Sequence, residues 1–198
     1  MLRLTGGEFR GRSIQTPPER SGGRNSVRPT QAKLRQALFN SLQMKIPDAK
    51  VLDLFGGSGS LGFEALSRGA AHATFIEDSK GIVKYIEKNA ALLGVEDRVR
   101  IFTDTVLNAV KRTYGLAPFD VVLADPPYEA GWELRLLNEL DWDKLLAVGG
   151  VLCIEWGSQK SQVSELPDTT PFLSKVREKA YGDSMLTTYE RVDGASIT

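Results

Sequence analysis

The sequence predicts an α/β protein built on an open, mostly parallel β-sheet with helices packed on both faces. Beyond residue 49, short apolar runs alternate with amphipathic segments of helical period, and a glycine-rich turn follows the first run. Parallel strands that are buried on both faces read as continuous apolar runs, and regular alternation with helices is typical of βαβ units. The five strands predicted from these runs are 50–55, 73–77, 99–102, 119–124 and 150–156.

A short N-terminal segment precedes this pattern and differs from it in composition. Leu2 and Leu4 alternate with polar residues before Gly6-Gly7, which predicts a β-hairpin over residues 2–15. Residues 16–29 are rich in proline, glycine and arginine and offer little that could pack into a core, so a mobile basic loop is predicted there. We therefore predict a basic extension over residues 1–29 and a main domain over residues 30–198.

The remaining segments carry helix and hairpin signals. The first helix is predicted from about Gln31 to Met44, with Thr30 as its N-cap. Two tail segments, 174–181 and 185–191, alternate apolar and polar residues on either side of Gly182-Asp183, which predicts an antiparallel hairpin at one edge of the sheet. The other predicted helices span 61–68, about 79–93, about 107–114 and 132–140.

The composition is that of a soluble globular protein, with 41% hydrophobic and 25% charged residues. No apolar run reaches the roughly 20 residues that a membrane-spanning helix needs, and the N-terminus lacks the apolar core of a signal peptide. A single cysteine excludes an internal disulfide and a cysteine-based zinc cluster. We expect a cytoplasmic protein that needs no metal.

The charge is unevenly distributed although the chain as a whole is neutral. Residues 1–37 contain eight Arg and Lys against two acidic residues, which leaves a charge of +6 there and −6 on the rest of the chain. A basic segment on an acidic body indicates an anionic partner, and arginine suits bidentate contacts to phosphate. A solvated tail is the simpler alternative, but the pattern favours nucleic acid.

The glycine-rich turn after the first strand predicts a cofactor site. Residues 57–62 match G-x-G-x-x-G, and Glu77 follows at the end of the next strand, as in dinucleotide-binding folds, so an NAD-dependent oxidoreductase is one interpretation. Asp53, however, lies inside the first strand, where its carboxylate would repel a pyrophosphate but would suit an ammonium group. S-adenosylmethionine fits this pattern better, because it has an ammonium group and a sulfonium cation and lacks phosphates.

Each acidic residue at a strand end has a predicted role toward S-adenosylmethionine. Asp53 would bind the methionyl end, Glu77 the ribose hydroxyls and Asp104 the adenine amino group. Each could instead be a helix cap or a solvated strand end, but together they fall where open α/β sheets bind ligands. The full predicted cofactor site is Asp53, Phe55, Gly56, Gly57, Ser58, Gly59, Glu77, Asp78, Asp104 and Thr105.

Asp125-Pro126-Pro127-Tyr128, after the strand at 119–124, forms a stiff turn suited to a planar base with an amino group. Asp125 and the Pro126 carbonyl would accept the two N–H bonds of the amine, and Tyr128 would stack on the ring. An ordinary strand-to-loop exit is the alternative, since these residue types are common in loops. The turn does not distinguish guanine from adenine.

Residues 53–59 followed by Asp125–Tyr128 resemble the class I S-adenosylmethionine-dependent amino-methyltransferases. Within this class the whole chain resembles the bacterial family that methylates guanine N2 in 16S ribosomal RNA. The segments that carry this resemblance are Gly6–Arg12, Arg28–Thr30, Ala37–Asn40 and Tyr181–Asp183. The chain departs from the family over 19–26, which is longer than expected.

The resemblance implies a Rossmann-like, seven-stranded methyltransferase sheet with its last strand antiparallel. It also implies a substrate, 16S ribosomal RNA alone or in a small-subunit assembly particle, and phosphate contacts from the N-terminal arginines. An adenine-N6 methyltransferase acting on DNA or RNA and a non-catalytic ribosome-assembly protein remain alternatives. The predicted catalytic residues are Asp125, Pro126 and Tyr128, and the predicted RNA contacts are Arg10, Arg12, Arg24 and Arg28.

Cys153 and the tryptophans are predicted to pack rather than to react. Cys153 lies within a predicted buried strand, which argues against a nucleophilic role. Trp132, Trp142 and Trp156 are likewise expected to pack, although Trp156 lies at a strand end near the face of the predicted site.

Overall fold

A computed structural model describes residues 1–18, 29–127, 131–157 and 165–193. It contains a two-stranded N-terminal hairpin and a seven-stranded sheet. The strands are β1 Leu2–Arg3, β2 Ser13–Ile14, β3 Lys50–Asp53, β4 His72–Glu77, β5 Val99–Thr103, β6 Phe119–Ala124, β7 Leu146–Gly157, β8 Leu173–Tyr181 and β9 Ser184–Arg191. The helices are α1 Pro29–Ser41, α2 Ser60–Ser67, α3 Lys80–Leu93, α4 Val106–Thr113, α5 Trp132–Glu139 and α6 Trp142–Leu145, and a 3₁₀ turn spans Glu96–Arg98.

The seven-stranded sheet has the order β5-β4-β3-β6-β7-β9-β8. Strands β5, β4, β3, β6 and β7 pair in parallel, and β9 pairs antiparallel to both β7 and β8. The predicted fold class is confirmed, including the antiparallel last strand and the hairpin at one edge. The strand order reverses between β3 and β6, which is where open α/β sheets form a ligand-binding crevice.

Each face of the sheet is covered by its own apolar core. Side chains of β6 and β7 alternate between the two cores, because successive residues of a strand point to opposite faces. Leu123 and Cys153 pack with α1, α2 and α3, whereas Val122 and Leu152 pack with α4, α5 and α6. The predicted core position of Cys153 is confirmed, and burial raises the pKa of its thiol to about 12.

The N-terminal hairpin shares the core beneath α1, α2 and α3. Leu4, Phe9 and Ile14 are buried there although the hairpin strands are only two residues long. Gly7 has a φ of 74°, and a side chain there would overlap the Ser67 carbonyl, so only glycine permits this close approach to α2. Most of the predicted basic loop, 19–28, lies outside the described residues.

Several element bounds differ from the sequence prediction. Helix α1 begins at Pro29, so Thr30 lies in its first turn instead of capping it, and the helix ends at Ser41. Strand β7 begins at Leu146 instead of residue 150, directly after the unpredicted α6. That helix has four residues, which is too short to show a helical period. In the part of the chain that the structure describes, no helix is long and apolar enough to cross a membrane.

Candidate active site

Five acidic residues form a row along the carboxyl edge of the parallel strands. Taken in the order of the sheet, one residue directly follows β5, one ends β4, one ends β3, one directly follows β6, and one lies near the end of β7. The reversal of strand order falls in the middle of this row. The row consists of Asp104, Glu77, Asp53, Asp125 and Glu155.

Asp53, at the end of β3, is the most deeply buried acid of the row, with 1% of its surface exposed. Its Oδ2 accepts a 3.2 Å hydrogen bond from the Gly62 N–H, while Oδ1 is buried without a hydrogen-bond partner among the described residues. Burial raises the pKa of Asp53 to about 7. Among the described residues no cation pairs with this carboxylate, so the site fits a ligand that carries an ammonium group.

The glycine loop between β3 and α2 leaves room for a ligand on one side and packs tightly on the other. Gly59 has a φ of 82°, and a side chain there would overlap the Phe63 ring. Gly57 has a φ of 52°, yet nothing lies closer to its missing side chain than the Phe55 carbonyl at 3.9 Å. Its N–H donates to Glu77 Oε2 at 2.9 Å, which ties the loop to the end of β4.

Glu77 organises the ribose side of the predicted cofactor site. While Oε2 holds the loop, Oε1 accepts a 2.9 Å hydrogen bond from the Ser79 N–H at the start of α3. Burial, and then the neighbouring carboxylate of Asp78, raises the pKa of Glu77. The side chain remains partly exposed, so its oxygens can still receive ligand hydroxyls.

Asp104, after β5, is held at the start of α4. Its Oδ1 accepts from the Thr105 N–H at 2.8 Å and from Asn108 Nδ2 at 3.3 Å. Arg112 Nη1 lies 3.9 Å from Oδ2. The residue is partly exposed, which leaves acceptor capacity for an amino group at this end of the row.

Trp132, at the start of α5, contacts Phe55 beside the glycine loop. The two rings meet edge to face with centroids 5.2 Å apart, and Arg135 lies 4.3 Å above the Trp132 ring. All three tryptophans pack, as predicted, and Trp132 does so against the core beneath α4, α5 and α6. Trp142 and Trp156 are buried, but Trp132 is partly exposed at the cofactor side of the sheet.

Asp125 and Pro126 begin the acceptor side of the row, directly after β6. Pro126 is buried, whereas Asp125 is exposed at the carboxyl edge of the sheet. Although the residue keeps some exposed surface, desolvation of its carboxyl group and then the neighbouring carboxylates of Glu155 and Asp53 raise the pKa of Asp125 well above its usual range. Tyr128, the predicted stacking residue, lies outside the described residues.

Glu155 is a site residue that the sequence analysis missed. The β6–β7 register pairs Ala124 with Ile154, so Asp125 and Glu155 follow at matching positions on neighbouring strands. The available signal was a single acidic residue between Ile154 and Trp156 in an otherwise apolar strand. Without the register, such a residue cannot be assigned to one strand end or to a particular neighbour.

The predicted RNA-contacting arginines are in different situations. Arg10 is exposed on the N-terminal hairpin. Arg12 also lies at the surface, but its guanidinium donates to the Leu92 carbonyl and lies 5.5 Å from the Phe9 ring centroid. Arg24 and Arg28 lie outside the described residues. Arg35, which contributes to the basic charge of residues 1–37, is buried in α1 and adds no basic surface.

Comparison with known proteins shows which family the chain belongs to. A model of the family described as conserved hypothetical protein 95 matches residues 2–190. The chain belongs to this family.

Relatives of this family carry methyltransferase names. The chain is 35% identical to the ribosomal RNA small subunit methyltransferase D of Escherichia coli (strain K12), over 96% of this chain and 90% of the relative. It is 37% identical to the protein of the same name from Haemophilus influenzae, over 72% and 74% of the two chains. The solved yhhF structure from Escherichia coli matches with a TM-score of 0.78 at 33% identity, covering 96% of this chain and 98% of that one.

The predicted family is confirmed, as is the class of S-adenosylmethionine-dependent methyltransferases and with it the cofactor. The protein SMU.776 was solved as a complex with SAH, and its TM-score of 0.62 at 14% identity shows the shared fold. The NAD-dependent oxidoreductase interpretation of the glycine loop is therefore wrong. The pattern G-x-G-x-x-G is shared because any nucleoside-bearing cofactor benefits from close backbone approach.

Proposed function

We propose that the protein transfers a methyl group from S-adenosylmethionine to the exocyclic N2 amine of a guanine in 16S ribosomal RNA. The observation that carries this proposal is the acidic row, which divides at the reversal of strand order. Asp104, Glu77 and Asp53 lie on one side of the division and suit a cationic nucleoside. Asp125 and Glu155 lie on the other side and suit an N–H-bearing base.

The cofactor half would bind S-adenosylmethionine through the acidic residues and the glycine loop. S-adenosylmethionine supplies an electrophilic methyl group on a sulfonium. Asp53 would hold the ammonium group, Glu77 the ribose hydroxyls and Asp104 the adenine amino group. Loop residues would lie against the ligand with Phe55, Asp78 and Thr105 beside them. The unpartnered Oδ1 of Asp53 and the open side of Gly57 support this assignment.

The acceptor half would hold the target amine. Guanine N2 is a weak nucleophile, because its lone pair is delocalised into the ring. Asp125 and the Pro126 carbonyl would accept its two N–H bonds and so favour a tetrahedral nitrogen whose lone pair is available. S-adenosylmethionine would supply the methyl group that N2 receives, and Asp125 would take the proton that N2 loses. The raised pKa of Asp125 makes it a suitable base.

Tyr128 would stack on the base, with a contribution of roughly 1–3 kcal/mol. Most of the rate enhancement would come from positioning, since the two halves of the row present the reacting groups to each other. A guanine in structured RNA has to be unstacked before it can reach the site. The exposed position of Asp125 is consistent with such a substrate.

Ribosomal RNA as the substrate is supported by the names of the relatives and by the basic N-terminus. Residues 1–29 would form an RNA-binding extension to the methyltransferase domain over 30–198. Arg10, Arg12, Arg24 and Arg28 would contact phosphates and set the register on the RNA. The small-subunit assembly particle is the corresponding partner.

The proposal is tested with radiolabelled S-adenosylmethionine and three substrates: undermethylated small-subunit particles, naked ribosomal RNA, and DNA. We expect label in ribosomal RNA, and we expect Asp125→Asn to lower kcat by roughly 10²–10⁴ while cofactor affinity stays unchanged. Asp120→Asn is the matched control. Asp120 lies on the same strand at its other end, where its carboxylate accepts a 2.8 Å hydrogen bond from the Lys50 N–H.

Three outcomes would contradict the proposal. Label in DNA alone would favour the alternative DNA methyltransferase. RNA binding without transfer to any substrate would favour a non-catalytic assembly protein. Full turnover of Asp125→Asn would remove Asp125 from the mechanism.

A further inference from the structure

We infer that Glu155 accepts the N1–H of the target guanine beside the amine held by Asp125, and that this second acceptor selects guanine over adenine. The inference rests on the proposed methyl transfer to a base amine and adds the residue that decides which base is accepted. It addresses what the Asp-Pro-Pro-Tyr turn leaves open, because that turn suits either amino group.

The register of β6 and β7 brings the two carboxylates together. Leu123 pairs with Cys153, and both pack into the core beneath α1, α2 and α3. Asp125 and Glu155 follow two residues later on their strands, so both side chains point toward this same face. Neighbouring strands lie about 4.8 Å apart, which places the two carboxylates side by side at the open edge of the sheet.

Their proximity also appears in the electrostatics. After desolvation, Glu155 is the largest charged influence that raises the pKa of Asp125, ahead of Asp53. Glu155 is partly exposed and Asp125 is exposed, so both reach the surface at the carboxyl edge of the sheet instead of the packed core. The acceptor side therefore presents two carboxylates and not one.

A compensating cation lies on the same face. Arg35 of α1 is buried, with 5% of its surface exposed, and its charge interacts with that of Glu155. It is anchored on its other side, where Nη2 donates to the Arg3 carbonyl at 2.9 Å and Nε lies 3.6 Å from Glu64 Oε2. Its positive charge offsets part of the repulsion between the carboxylates of Glu155 and Asp125.

Two adjacent acceptors match guanine and oppose adenine. Guanine presents the N1–H and the N2 amine next to each other on its Watson–Crick edge, so it offers two donors in a row. Adenine presents the N6 amine beside N1, which has a lone pair and no hydrogen. Glu155 would gain a hydrogen bond from guanine, whereas adenine would place a lone pair against a carboxylate. Sites built to bind a donor reject analogues that lack it.

The decisive substrate is an RNA with 2-aminopurine at the position that becomes labelled. This base keeps the 2-amino group but has an acceptor at N1. We expect the wild-type protein to prefer guanine by roughly ten- to hundredfold in kcat/KM. Glu155→Gln should reduce this preference at least several-fold, because an amide can donate to N1 of 2-aminopurine as well as accept. Cofactor affinity should be unchanged in this variant.

Glu190→Gln serves as the control for loss of a carboxylate. Glu190 lies on β9 opposite Val151, toward the other end of the sheet, and should leave the preference unaltered. Equal use of guanine and 2-aminopurine by the wild-type protein would overturn the inference even if the Glu155 variant failed to fold. An unchanged preference in a folded Glu155→Gln variant would overturn it as well. Absence of transfer to any guanine-containing RNA would instead refute the proposed function.

Discussion

At the scale of single residues, Asp53 makes the most specific prediction about the cofactor site. Its carboxyl group is buried and has a pKa of about 7, so near neutral pH it is only partly ionised. Binding an ammonium group requires the ionised form. The raised pKa also means that, in the cofactor-free protein, the stabilising contribution of Asp53 is complete below its unfolded pKa of 3.8 and is lost as the pH rises through about 7.

We therefore expect the affinity for S-adenosylmethionine to fall as the pH drops below about 7, by up to tenfold per unit. Above a pH of about 8 the affinity should fall again, because an α-amino group loses its proton there. Asp53→Asn should weaken binding and remove the acidic limb of this profile. Calorimetric titration from pH 5.5 to 9 measures both effects. An affinity that is flat between pH 5.5 and 7.5 in the wild-type protein would exclude an ammonium partner for Asp53.

The sequence was sufficient to predict the acidic residues that lie at strand ends. Asp53, Glu77 and Asp104 were predicted from their spacing, and the sheet brings all three to one edge, because parallel strands share a direction. Glu155 was missed, because the neighbours of a lone acidic residue inside an apolar strand cannot be inferred until the register of the strands is known. Trp132 was predicted to pack, and it does, but its partial exposure beside Phe55 was not predictable, because an aromatic residue at the start of a helix looks the same in sequence whether it is fully or partly buried.

At the scale of elements, Asn89 of α3 links the N-terminal hairpin to the cofactor loop. Its Nδ2 donates to the Gln15 carbonyl and to the Ser58 carbonyl, each at 2.9 Å, and its Oδ1 accepts from the Gln15 N–H at 2.7 Å. The side chain is fully buried. One residue thus fixes two elements that are far apart in the sequence.

Asn89→Ala should lower the free energy of unfolding by roughly 2–4 kcal/mol, because it leaves buried backbone groups without partners. It should also weaken S-adenosylmethionine binding, since the loop at Ser58 loses its support. Denaturant unfolding and calorimetry measure these quantities, with Glu87→Ala on the exposed side of the same helix as the control. Equal stability of the two variants would show that the bridge contributes nothing.

The elements themselves were predictable where they repeat a clear period. The parallel strands and the long helix α3 follow directly from their apolar patterns. The start of β7 could not be predicted from its apolar pattern. Gly149-Gly150 interrupts the apolar run, and the preceding helix α6 spans a single turn. The hairpin strands are shorter than predicted, since core contacts of Leu4, Phe9 and Ile14 hold this segment more than strand pairing does.

At the scale of the whole molecule, the basic N-terminus faces a body of opposite net charge. Buried Arg35 is already paired with Glu64, so the charge available to RNA resides mainly in the other N-terminal arginines. Deleting residues 1–29 would not test this, because three buried core residues would be lost with the charge. Removing individual charges leaves the core intact.

The double variant Arg24→Ala/Arg28→Ala should weaken RNA binding at all sequences and reduce the slope of log affinity against log salt by roughly 1–2. Lys111→Ala, an exposed lysine on α4 and thus on the opposite face of the sheet, should leave the slope unchanged. Filter binding between 50 and 300 mM salt, on the order of the range used for such slopes, provides the measurement. Identical slopes for the two variants would refute the basic extension as the RNA contact.

The identity of the methylated nucleoside is the most direct test of methyl transfer to guanine N2. Labelled small-subunit RNA is digested to nucleosides after reaction with S-adenosylmethionine, and the products are separated and identified by mass spectrometry. We expect the label in N2-methylguanosine. Label in N6-methyladenosine would contradict it.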